Sequence, residues 1–221
     1  MVTYQRSLSP FWELKRCSGE IHSTRPHSHA EWSLGLVTGG ACAVNCRGTS
    51  VEVRAPALVW FSPETVHRCQ PQDTIDWAFQ MLYWEAPGAE GCWGARPLTG
   101  EACDRWLGFF EKLQTQPHTE LPEFVAEGQA RTPPVAVVPG VRPDRLYKRI
   151  HGLAPAQHRT VLRVRRAQQL LRDGAAPLDA ALESGFYDQS QFTRLFRAFT
   201  GTTPGRYARS NLYKIDPKQS G

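Results

Sequence analysis

Three histidines stand where a metal ion or a polar ligand could be held. His27 and His29 alternate in Pro26-His-Ser-His29, and His67 closes Pro63-Glu-Thr-Val-His67. On an extended strand His27, His29 and Glu31 point to one side, and His67 can approach from a neighbouring strand. Neutral imidazole ligates zinc and other transition metals. The same side chains would serve as well in an aqueous or small-ligand pocket, or as polar barrel residues. Trp32, Trp60, Phe79 and Trp84 could wall an apolar pocket for an organic effector, or simply fill a core. The expected effector pocket is therefore His27, His29, Trp32 and His67, and the expected metal set is His27, His29 and His67. No cofactor is required; a transition metal such as zinc or a small organic effector is the candidate occupant of the barrel.

Cysteines 17, 42, 46, 69, 92 and 103 are scattered and form no CxxC pair, which suits reduced core thiols better than a disulfide framework. Cys42 and Cys46 share a strand parity and Cys69 lies near His67. A redox switch would need a cation to lower one of these thiol pKa values.

A second group of polar residues lies near the C-terminal end. Asp188 can cap a helix in which Phe192, Leu195, Phe196 and Phe199 recur at i, i+3, i+4 and i+7. The opposite face carries Ser190, Thr193, Arg194 and Arg197, flanked by Gln189 and Gln191. Gly201 ends this helix and Pro204 prevents its return. Amide groups can read adenine and guanidinium groups guanine, while basic residues hold phosphates. A solvated amphipathic helix shows the same pattern.

The elements around these groups divide the chain. Short strands punctuated by Gly and Pro run from Glu31 to Trp84: Trp32–Val37, Ala41–Asn45, Val51–Val53, Ala57–Phe61 and Trp77–Trp84. In the last, Trp77, Phe79, Met81 and Tyr83 share one face. Such spacing predicts an antiparallel barrel or sandwich. A helix over Gly100–Gln114 follows, its Cys103, Trp106, Phe109, Phe110 and Leu113 forming a stripe that packs on its own domain or, as the sharper alternative, on a second copy. Five prolines between Gln114 and Gly140 mark a linker. Beyond it a helix begins at Pro155 and closes at Gly174, with Val161, Val164, Ala167 and Leu171 on one stripe and Arg159, Arg163 and Arg166 on another. A short helix spans Leu178–Ser184.

Charge follows this division. Residues 139–221 carry 15 Lys and Arg against 6 Asp and Glu, whereas residues 1–138 carry 11 against 15. The basic part suits a polyanion. No apolar run reaches membrane-spanning length, and no apolar segment follows Met-Val-Thr-Tyr-Gln-Arg, so secretion and membrane partners are not expected.

The run Leu178–Pro204, with Gly185-Phe-Tyr-Asp-Gln-Ser-Gln-Phe, Arg194-x-Phe-Arg and Gly201-x-x-Pro, closely resembles the second helix-turn-helix of the AraC/XylS regulators. Gly152-Leu-Ala-Pro and Arg163–Leu171 resemble that family's central linking helix. The resemblance spans about Gly140–Arg209 and implies two helix-turn-helix units on one module. It makes Gln189, Ser190, Gln191 and Arg194 base readers of the second unit, with Thr193 and Arg197 near phosphates. In the first unit, Val141–Gly152 is about three residues short, and Thr132-Pro-Pro-Val-Ala-Val-Val-Pro139 stands where two helices are usual. Arg142, Arg145, Lys148 and Arg149 keep a basic surface there, and Arg145, Lys148 and Arg149 join Arg163 and Arg166 as phosphate contacts. His27-x-His29, Gly39-Gly40 and Pro63–His67 resemble, more loosely, the cupin-like sensor of the same family. The metal-binding glutamate of cupins is missing, since Ser33 and Leu34 fill its place.

The resemblance implies an α+β chain. An antiparallel cupin-like barrel with a C-terminal helix occupies 1–115, a Pro-rich linker 116–139, an all-α helix-turn-helix DNA-binding domain 140–210, and a tail 211–221. The function it implies is a cytoplasmic bacterial transcriptional regulator, not an enzyme. Double-stranded DNA, a small-molecule effector, RNA polymerase if it activates, and a second copy as homodimer are the expected partners. The alternatives are a metal-dependent cupin enzyme, or a family member whose degenerate first unit weakens DNA binding.

Overall fold

The computed structural model describes residues 2–8, 11–19, 25–46, 48–73, 75–85, 92–116, 130–131, 145, 147–148 and 151–212. Ten strands and one helix make up the first part: β1 (Val2–Leu8), β2 (Phe11–Ser18), β3 (Trp32–Gly39), β4 (Ala41–Cys46), β5 (Thr49–Arg54), β6 (Ala57–Phe61), β7 (His67–Pro71), β8 (Ala78–Trp84), β9 (Cys92–Pro97), α1 (Gly100–Thr115) and β10 (Ala130–Arg131). The larger sheet runs β10-β9-β6-β3-β8-β2-β1, and the smaller runs β5-β4-β7. All these pairs are antiparallel.

Period-two alternation sends alternate residues of the larger sheet to opposite sides. Inward, Val37, Val59, Phe79 and Met81 meet Cys42, Val44 and Val53 of the smaller sheet. Outward, Trp12, Leu14, Trp32, Leu34, Leu58, Trp60, Leu82 and Trp84 form a second apolar layer under α1, closed by Phe110 and Leu113. The α1 stripe thus packs on its own domain. Thr99 caps the helix by accepting from the Ala102 amide at 3.3 Å. Gly94 is required where the Trp60 indole crosses β9, since a Cβ there would lie 2.3 Å from Trp60 Cζ2.

The second part comprises α2 (Pro155–Arg172), α3 (Pro177–Glu183), α4 (Gln189–Thr200) and α5 (Pro204–Ala208), then β11 (Asn211–Leu212). Proline stands in the first turn of α2, α3 and α5, where its missing N–H costs nothing. Val164, Ala167, Leu171, Phe186, Phe192, Phe196 and Tyr207 form the core of this bundle. Residues 145, 147, 148 and 151 have helical backbone. The remainder of the shortened first unit, including Arg142 and Arg149, lies outside the described residues.

The two parts are joined over a buried polar seam. β11 pairs in parallel with β1, Gln5 opposite Asn211 and Arg6 opposite Leu212, so what the sequence suggests is a tail begins as a strand. The Tyr4 hydroxyl donates to the Thr200 carbonyl at 2.6 Å. Arg6 donates to the Tyr207 carbonyl at 2.5 Å and to the Ser210 hydroxyl, and its guanidinium sits 4.5 Å from the Tyr207 ring centre. The Tyr207 hydroxyl donates to Glu13 Oε2 at 2.6 Å. Within the predicted linker, Ala130 and Arg131 pair with Trp93 and Cys92; 117–129 and 132–144 lie outside the described residues.

Candidate functional site

The three histidines converge. His27 and His67 form a two-residue antiparallel bridge, each amide donating to the other's carbonyl at 2.9 Å. His29 joins them, and one ring nitrogen from each lies within 4.8 Å of the others. A carbonyl can only accept, so His27 Nδ1, 2.8 Å from the Arg25 carbonyl, and His67 Nδ1, 2.9 Å from the Thr65 carbonyl, carry the protons. That places the lone pair of each ring on Nε2, the tautomer that metal-ligating histidines use. The His67 ring lies 3.7 Å from, and nearly parallel to, Phe61. Burial, then the nearby Lys15 cation, holds His27 down to about 4; burial and mutual repulsion lower His29 and His67 as well.

These rings line a cavity of about 350 Å³ between the two parts of the chain. One wall is the barrel interior, with Lys15, Cys69, Phe79, Met81 and Tyr83. The other is α2, with Val161, Val164, Arg165, Gln169 and Arg172, plus Phe199 and Thr200 of α4. Lys15 is 3% exposed, and burial pushes its amine down to about 7. Burial raises the Cys42 thiol to about 12 and lifts Cys69 too. These are the opposite of the lowered pKa a redox switch needs. None of the five described cysteines is in a disulfide.

Two ion pairs tie α2 to the rim. Arg165 makes a bidentate pair with Glu64, both contacts 2.7 Å. Arg172 reaches Glu31 at 3.0 Å, with its guanidinium 4.9 Å from the Phe11 ring centre. Burial opposes the Arg172 charge, but Tyr207, Glu13 and Glu31 more than offset it. Glu31, expected on the histidine face, is therefore committed to the helical domain, because an arginine from α2 supplies the counter-charge it needs when buried.

Trp32 is the expected pocket residue that does not line the cavity. With Trp60 and Trp84 it lies in the layer under α1, on the opposite side of the sheet. Strand parity groups residues by face but does not say which face encloses space. Lys15, Glu13, Tyr4 and the α2 wall lie beyond sequence pattern, because β1 and β2 carry charged residues on their inner face and the cavity spans the domain boundary.

In the helical domain, Asp188 accepts from the Ser190 amide at 2.8 Å and starts α4. Gly201 ends α4 at φ 82°, in the left-handed region that favours glycine. Gly185, at φ 80°, makes the turn between α3 and α4. Phe192 and Phe196 are buried, whereas Gln189, Ser190, Gln191, Arg194 and Arg197 are exposed and Thr193 is half-buried. Arg145, Lys148, Arg163 and Arg166 are exposed too. Among them Arg166 also borders the cavity.

No curated protein sequence matches the chain. An apo ToxT variant from Vibrio cholerae superposes with TM-score 0.56 at 8% identity, covering 90% of this chain and 97% of that one. A second Vibrio cholerae ToxT structure gives 0.55 at 9% identity, over 89% and 96%. ToxT from that organism with an unsaturated fatty acid bound gives 0.50 at 9%, over 90% and 94%. At such identities the likeness is one of fold. Residues 143–210 match the profile of a helix-turn-helix domain family. The chain carries a helix-turn-helix domain behind a domain of antiparallel sheets.

Proposed function

We propose that this chain is a sequence-specific DNA-binding transcriptional regulator whose DNA-binding domain is biased by a small molecule held in the interdomain cavity. The observation that carries this is the shared wall: barrel residues and α2 of the helix-turn-helix domain enclose the same space. An occupant can shift the arrangement of the two parts only through contacts that differ between arrangements, and here it would touch both. Gln189, Ser190, Gln191 and Arg194 read bases, while Thr193, Arg197, Arg163, Arg166, Arg145, Lys148 and Arg149 hold phosphates. The structural likeness to ToxT, with a fatty acid bound in one of its structures, is compatible with an apolar-bodied effector. The test is selection of duplexes from random DNA by the full chain. Enrichment of a defined site supports the reading, and failure to retain any duplex at low salt overturns it.

A second reading concerns the histidines. His27, His29 and His67 would hold a transition metal such as zinc, favoured by ring nitrogens within 4.8 Å of one another and by the Nδ1 protonation of His27 and His67. The ion would supply a fixed positive charge and an open coordination position. Equilibrium dialysis against Zn²⁺, and Co²⁺ absorption in the tetrahedral range, test this; loss of both in His29→Ala is expected.

A further inference from the structure

Lys15 is the feature that neither DNA binding nor the histidine set uses. β2 directs it inward, it is 3% exposed, and it borders the interdomain cavity. No carboxylate among the described residues lies within ion-pairing distance of its Nζ, which sits over the Tyr4 ring, 5.7 Å from the ring centre. The carboxylate next to it in β2, Glu13, is taken by Tyr207 and faces Arg6. A lysine placed this way has no role in packing that methionine would not fill better.

We propose that Lys15 is a covalent capture site for aldehydes, forming a reversible imine with an effector that carries an aromatic or branched apolar body. The cavity volume and the Phe79 and Met81 wall suit such a body, and it would lie against Val161 and Val164 of α2. In the reaction the Nζ lone pair attacks the carbonyl carbon, and the C–O π pair moves to oxygen. One amine proton passes to that oxygen, giving a carbinolamine. The C–O bond then breaks, the second amine proton leaves with the hydroxyl as water, and the C=N bond forms. Amine plus aldehyde gives imine plus water, with no oxidant or reductant. Tyr83, on the same wall, can relay the protons. The lowered amine pKa supports the assignment, since a lysine near 7 holds on the order of a thousandfold more free amine at neutral pH than an ordinary one. The proposal rests on the effector reading for its biological use but not for its chemistry.

The test is benzaldehyde with cyanoborohydride at pH 7, followed by intact mass and peptide mapping. The other lysines, 112, 148, 214 and 218, are internal controls, and peptide mapping separates them from the α-amine. Native protein is expected to take one reduced adduct at Lys15 at least about tenfold faster than at any other lysine. That preference should vanish in guanidinium, and Lys15→Met should take no early lysine adduct. Labelling spread over the other lysines, or a preference that survives unfolding, overturns the proposal. DNA selection is run separately on unmodified protein. A Lys15 adduct with no DNA site would leave the capture intact and remove the regulator reading; the reverse result would do the opposite.

Discussion

The Tyr207 hydroxyl donates to Glu13 Oε2 at 2.6 Å, joining the fifth helix to the second strand across 194 residues. Both side chains are almost wholly buried, at 0% and 2% exposed. Tyr207→Phe keeps the ring over Arg6 and removes only the donor. Leaving a buried carboxylate short of a partner costs about 2 kcal/mol. The expected outcome is a lower denaturation midpoint in urea, with faster proteolysis between barrel and bundle. An unchanged midpoint would mean that the seam contributes nothing to stability.

The two ion-paired arginines of α2, Arg165 and Arg172, should behave unequally. The Arg172 and Glu31 side chains are 10% and 11% exposed, and removing one partner of such a pair costs about 3 kcal/mol. Arg165 and Glu64 are 19% and 49% exposed, so Arg165→Ala should cost about 0.5 kcal/mol despite its bidentate geometry. Urea denaturation of Arg172→Ala and Arg165→Ala decides this; equal losses would contradict the burial argument.

Acidification should loosen the histidine cluster. His27 sits at about 4 when folded, with His29 and His67 also lowered, against about 6.5 in an unfolded chain. Between these values the unfolded state binds more protons, so stability is complete above about pH 6.5 and is lost as pH falls towards 4. Lys15 and Arg165 deepen the effect by opposing imidazolium. Thermal melts from pH 7 to 5 should show a falling midpoint, and His29→Ala should flatten the slope. A wild-type midpoint level across this range would rule the account out.

On DNA, Arg194→Ala should cost about 1–3 kcal/mol at the selected site and relax preference at one base pair. Arg163→Ala should instead weaken all duplexes alike and reduce the salt slope by about one. Binding assays on matched and scrambled duplexes at several salt concentrations separate the two. If Arg194→Ala retained full preference, the base-reading role would pass to another residue.

The helical domain was legible because its punctuation is local. Asp188, Gly201 and Pro204 act on the backbone within a few residues, and the α4 aromatic stripe needs no distant partner. The β1 and β2 strands were not legible. Arg6, Glu13 and Lys15 point inward where alternation should place apolar residues, and the groups that make this tolerable come from Tyr207 and from a cavity. His27, His29 and His67 could be grouped by residue type, and the structure brings them together. Trp32 could not be sorted, since an aromatic in a strand reads alike whether it faces a ligand or α1. The α2 wall follows from docking, which no local pattern encodes.

The pairing of β1 with β11, and of Arg6 with Tyr207, has a temporal side. On the ribosome, Arg6 and Glu13 emerge long before the tyrosine that satisfies them, about 200 residues of synthesis later. Until then Arg6 and Glu13 on the inner face of β1 and β2 have only each other, and loop closure over so long a span is slow. The barrel therefore finishes maturing only when the helix-turn-helix has been translated, so the two parts reach their native form as one event.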